Sequence, residues 1–155
     1  MSVPGELDLE LTSELTRLAD VREQVRTWLA ADGWDVACVA EITLAVDEAL
    51  TNVIRHGYAS EPGHRILLRM SVIADAQRGD GLEVVIRDYG KQVDPAAIHG
   101  RALDDYRPGG LGVHIMRGMM DAVEYSRAPG GGMQLVMQKY KRRSAAPDGP
   151  CADSP

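Results

Sequence analysis

Glu48, Asn52 and His56 stand four residues apart in the stretch Asp47-Glu48-Ala49-Leu50-Thr51-Asn52-Val53-Ile54-Arg55-His56-Gly57. On a helix each step of four advances about 40°, so these groups form a polar ridge. Ile42, Val46, Ala49, Leu50, Val53 and Ile54 form the apolar stripe on the opposite side. A solvated helix face would carry similar polar residues, but the rest of this helix is apolar. A carboxylate one turn from an amide pairs a proton acceptor with a hard oxygen ligand. Magnesium takes oxygen ligands, keeps several waters and is shared with substrate phosphates. The pair therefore suits phosphoryl chemistry, provided that a phosphate-binding segment lies elsewhere in the chain.

Two further segments supply what that chemistry needs. In Asp88-Tyr89-Gly90 the aspartate ends a strand pattern and a glycine follows two residues later. Such an aspartate can accept a hydrogen bond from an adenine amino group, and the glycine lets backbone approach the base. An ordinary strand-ending turn would look the same in isolation. Gly109-Gly110-Leu111-Gly112 opens a helical pattern. Glycines there leave backbone N–H groups uncovered at the positive end of the helix, which attracts phosphate. A flexible helix start is the plain alternative. The chain has no GxxxxGK[ST] loop and no dinucleotide-binding glycine fingerprint near an N-terminal βαβ unit.

The elements that must position these groups are legible from periodicity. Glu6 to Leu11 alternates as a half-buried strand, with Thr12 and Ser13 as candidate N-caps. Leu15 to Leu29 repeats at helical spacing and Gly33 closes that helix. Asp35 can cap the helix that carries the ridge, which ends near Gly57. Arg65 to Ala74 and Leu82 to Arg87 read as a hairpin around Gly79-Asp80-Gly81. From Lys91 to Gly110 the only regular signal is a short helix at Pro95 to His99. A third helix covers Leu111 to Met120, and Val123 to Arg127 with Gln134 to Tyr140 form a closing hairpin around Pro129 and three glycines. The order β, α, α, β, β, loop, α, β, β predicts an α+β fold. It is a two-layer sandwich whose mostly antiparallel (mixed) sheet carries helices on one face. Residues 1–141 are expected to form one domain and residues 142–155 a disordered polar tail.

Bulk properties narrow the function classes. Seventeen Lys and Arg against 23 Asp and Glu leave a formal charge of −6, which disfavours direct nucleic-acid binding. The basic run from Lys139 to Arg143 is expected to be solvated. Cys38 and Cys151 show neither a zinc spacing nor a disulfide framework. No apolar run approaches the roughly 18 residues needed to cross a membrane. No leader pattern opens the sequence, so a soluble cytoplasmic protein is expected.

The three segments together, in this order, resemble the GHKL ATPase superfamily, the Bergerat fold, and within it the anti-sigma-factor serine/threonine kinases. Residues 41–58 are similar to the family's N-box. Asp88-Tyr89-Gly90, with Val93-Asp94-Pro95, resembles its first glycine box, and Gly110-Leu111-Gly112 through Arg117, on to Met120-Asp121, its second. The resemblance covers residues 5–141 or so. It implies that Glu48 is the general base for a substrate serine or threonine, that Asn52 coordinates Mg2+, and that Asp88 reads adenine with Gly90 beside it. It implies that Gly110, Leu111 and Gly112 meet the ATP phosphates, with Lys91 to Gly109 as the lid. Family kinases often carry an arginine just before these glycines. Here Arg107 lies three positions before Gly110, with Pro108 between. His56 matches a family position, and packing beside Tyr58 is an equal reading. The implied partners are a sigma factor, an anti-sigma-factor antagonist protein and a second copy of the chain. The alternative is a non-catalytic ATP- or ADP-binding module that regulates a partner.

Overall fold

A computed structural model describes residues 4–98 and 111–141. Strand β1 (Leu7–Thr12) is followed by helices α1 (Leu18–Ala31) and α2 (Val36–Asn52), the latter continued by a π-helical turn at Val53–Gly57. Strands β2 (Arg65–Asp75) and β3 (Gly79–Asp88) form a hairpin. Helix α3 (Leu111–Met119) and the hairpin β4 (Ala122–Arg127) and β5 (Met133–Tyr140) complete the order. The five strands form one sheet in the order β1-β2-β3-β5-β4, and all four pairings are antiparallel.

Alternation puts one strand face inward. Ile66, Leu68 and Met70 of β2, Leu82, Val84 and Ile86 of β3, and Leu135 and Met137 of β5 are all buried. They share one core with Leu29, Trp28 and Val25 of α1, Ile42, Val46, Ala49 and Leu50 of α2, and Val113 and Met116 of α3. The apolar stripe expected on α2 is thus the face laid on the sheet. Asp35 caps that helix as expected, accepting from Cys38 N at 2.8 Å, and Gly33 ends α1 at φ +83°.

Two sequence expectations are corrected. Ser13 caps no helix; its hydroxyl donates to Glu61 O at 2.6 Å and accepts from His64 N at 3.0 Å, which ties β1 to the loop before β2. Lys139, expected to be solvated, is fully buried. It lies on the inward face of β5, and its Nζ donates to Met119 O at 2.6 Å. A cation thereby satisfies an orphan carbonyl at the C-terminal end of α3. The residues of the expected tail, including Cys151, lie outside the described residues.

Candidate functional site

The ridge on α2 meets α3. Glu48 and Asn52 are half-buried, and the start of α3 crosses them at Gly112. A methyl group on Gly112 would stand 2.8 Å from Glu48 Oε2 and 3.4 Å from Asn52 Nδ2. The backbone of the glycine segment therefore lies directly against the carboxylate and the amide. A side chain at this position would displace the tip of Glu48. Two of the three sequence segments are brought together here. Leu111 starts α3; Arg107 and Gly110 lie outside the described residues.

Asp88 closes the opposite end. It is 5 % exposed at the end of β3, and burial raises its pKa above the ordinary carboxylate value. Its Oδ1 accepts from Gly90 N at 2.9 Å and from Met133 N at 3.2 Å. No hydrogen bond within the described residues reaches Oδ2, whose nearest glycine neighbour is Gly57. One carboxylate oxygen is thus spent on the backbone and the other is left to accept from a ligand. Gly90 packs on the Gly57 carbonyl so closely that a side chain there would collide with it. Gly132, at φ +76°, packs equally closely on the Asp88 carbonyl. The three glycines that read as a hairpin turn therefore also let β5 close against Asp88.

Between the two ends lies a cavity of about 310 Å³. Asn52, His56, Asp88, Lys91 and Tyr125 supply its polar groups. Val93, Ile98, Val113 and Met133 supply apolar walls, a lining suited to a planar base with a few orienting polar contacts. A larger cavity, about 560 Å³, lies between β1 and α1 around Thr12, Arg17, Asp20 and Gln24. It contains none of the three segments, so chemistry rather than size selects the smaller one.

Tyr125 was not singled out by sequence reasoning. Its hydroxyl contacts Met116 Sδ at 3.8 Å, and it lines the cavity together with Asn52. Burial pushes its pKa up to about 12, so it stays protonated. Its register was a usable signal: Tyr125 pairs with Leu135 and faces inward as that residue does. His56 lines the cavity and is exposed, and its expected packing on Tyr58 is corrected. The ring stacked on Tyr58 is His64, at 4.6 Å between centroids and 9° between planes.

Among the described residues no group of three or more His, Cys, Asp or Glu side chains could cage a metal. A single amide oxygen from Asn52 fits a magnesium ion that takes its other ligands from water and phosphate.

Residues 11–139 match the family described as "Histidine kinase-like ATPase domain". The chain is 31% identical over 126 residues to the serine/threonine-protein kinase BtrW of Bordetella bronchiseptica, over 79% of this chain and 85% of that protein. It is 35% identical over 113 residues to an anti-sigma F factor of Oceanobacillus iheyensis, over 68% and 72% of the two. A crystal structure of RsbU and RsbW domains from Mycobacterium tuberculosis superposes with a TM-score of 0.63 at 20% identity, over 88% of this chain and 32% of that one.

Proposed function

The chain belongs to the histidine kinase-like ATPase domain family, and on that premise we propose that it is an ATP-dependent serine/threonine protein kinase that also acts as an anti-sigma factor. The observation that carries this reading is that Asn52, which Gly112 meets together with Glu48, lines one cavity with Asp88, whose Oδ1 alone is engaged by backbone. Relatives named as a serine/threonine-protein kinase and an anti-sigma F factor support it.

In this reading Asp88 Oδ2 accepts from the adenine amino group and Gly90 lets the base lie on backbone. Gly110, Leu111 and Gly112 present backbone N–H groups to the phosphates, with Arg107 directed at the γ-phosphate. Asn52 holds Mg2+, which when bound neutralises charge on the phosphate oxygens. Glu48 receives the proton of the acceptor hydroxyl as that oxygen bonds the γ-phosphorus. The bond to the bridging oxygen breaks, and ADP leaves with its electron pair. The acceptor is a serine or threonine of an antagonist protein. The same protein sequesters a sigma factor until the unphosphorylated antagonist competes for it. It works as a homodimer in the cytoplasm; no described helix is long and apolar enough to cross a membrane.

A single-turnover assay with labelled ATP and the antagonist tests the reading. Glu48→Ala is expected to slow transfer by a factor of about 10²–10⁴ while leaving ATP affinity near wild type. Transfer at the wild-type rate in that variant would remove Glu48 as the base. The displaced Arg107 favours a second reading, a nucleotide-binding regulator that transfers nothing. The wild-type protein would then bind ATP and label no partner.

A further inference from the structure

The β2–β3 ladder ends at Ile66 opposite Asp88. The next rung outward would join Arg65 and Tyr89. That rung is not closed directly. The hydroxyl of Tyr58 stands in it, accepting from Tyr89 N at 2.7 Å and donating to Arg65 O at 2.5 Å. A side chain from the end of the α2 helical run is thus spliced into the end of a sheet ladder. It keeps both backbone groups satisfied while holding the two strands apart.

The placement of Tyr58 is itself over-determined. The residue is 6 % exposed and its ring stacks on His64. Its N–H donates to Val53 O at 2.9 Å, the bond that closes the π turn. It directly follows Gly57, whose carbonyl accepts from Lys91 N at 3.2 Å and bears on Gly90. The segment Asp88 to Lys91 therefore touches the end of the first motif at three consecutive residues, and at Tyr89 the tie is made by a side chain. The Tyr89 ring points away from the cavity, with Arg87 at 4.2 Å and Arg65 at 5.5 Å from its centroid.

We propose that Tyr58 is a positioning residue for the nucleotide base: its hydroxyl peels Tyr89-Gly90 off the sheet directly after Asp88, the last paired residue of β3, and sets where the free Asp88 oxygen points into the cavity. The inference rests on the reading of Asp88 as the adenine acceptor. Without the hydroxyl, Tyr89 N–H and Arg65 C=O are left as unsatisfied partners of each other. Closing on one another would extend the ladder by one rung and draw Asp88 with it.

Tyr58→Phe keeps the ring and the stack on His64 and removes only the oxygen. Calorimetric titrations with ATP, and with ADP in magnesium-free buffer, are made well below the melting temperature. Both affinities are expected to fall about tenfold and by the same factor, because the loss lies at the base end that the two nucleotides share. A wild-type affinity in Tyr58→Phe, beside a binding loss in Asp88→Ala, would overturn the role of Tyr58 alone. Wild-type affinity in Asp88→Ala would overturn both assignments, since there would be no acceptor to position. Amide exchange on the wild-type protein gives a second test that needs no variant. The Tyr89 amide is expected to exchange slowly in the free protein and more slowly with ADP, in step with Gly90 and Met133. Exchange of Tyr89 at the rate of an open loop would overturn the proposal.

Discussion

Asp88 combines burial, two backbone donors and one free oxygen. Those donors dictate what a substitution does. In Asp88→Asn the amide oxygen must take the Oδ1 position to accept from Gly90 and Met133, so the NH2 turns toward the cavity. A donor then meets the adenine amino group. Adenine nucleotide affinity is expected to fall by at least about 100-fold, measured by titration calorimetry. The unliganded fold responds in the opposite sense. Burial raises the Asp88 pKa above its unfolded value. The linked stabilisation is therefore fully present below the unfolded value and is lost as pH rises through the folded one. At neutral pH the buried charge opposes folding, so Asp88→Asn is expected to melt at or above the wild-type temperature while failing to bind ATP. A lower melting temperature at pH 7 would contradict this balance. Asp88 and Gly90 were legible in the sequence from their place at a strand end. Which oxygen is free was not, because it depends on Met133, 45 residues further along.

At the level of elements, the site is a meeting of two helices and a strand end. Capping by Asp35 and the apolar stripe place α2, and the π turn after Asn52 widens its last turn beside the cavity. The contact of α3 on α2 is set by Gly112. An alanine there would put its Cβ 2.8 Å from Glu48 Oε2, inside any normal contact. The atom met is the tip of a flexible side chain, so the side chain yields before the helix does. Gly112→Ala is expected to lower the turnover number at least tenfold by displacing Glu48, with a change in melting temperature of a few degrees at most. Loss of the folded state would show instead that the helix contact, not the carboxylate, gives way. The helices and strands follow local periodicity, and their ends fall within about three residues of the sequence expectation; β3 starts at Gly79 rather than Leu82 because the turn glycines join the ladder. The π turn and the Tyr58 splice had no such signal, since each exists only through partners distant in sequence.

For the whole molecule, the proposed reading puts the base at the end of β3 and β5 and the phosphates on the helices above the sheet. In that reading a bound nucleotide bridges the two layers and is expected to stabilise them together. ATP at 100 times its dissociation constant should add about 2.7 kcal/mol to the folded state, seen as an upward thermal shift. The shift should vanish in Asp88→Ala. A wild-type protein with no shift at any ATP concentration would sink the nucleotide reading.

The sequence by itself determined the element order, the sheet-facing stripe of α2, and the three segments on which the proposed chemistry rests. Each of these is written in short-range spacing or in local glycine and aspartate chemistry. Only the tertiary structure decided that Gly112 touches Glu48 and Asn52, and that Lys139 is buried under α3. It also decided that Tyr125 lines the cavity beside Asn52 and that Tyr58 rather than a ladder bond ends the β2–β3 pairing. These contacts join residues far apart in the chain. Packing selects such pairs, and no local periodicity encodes them.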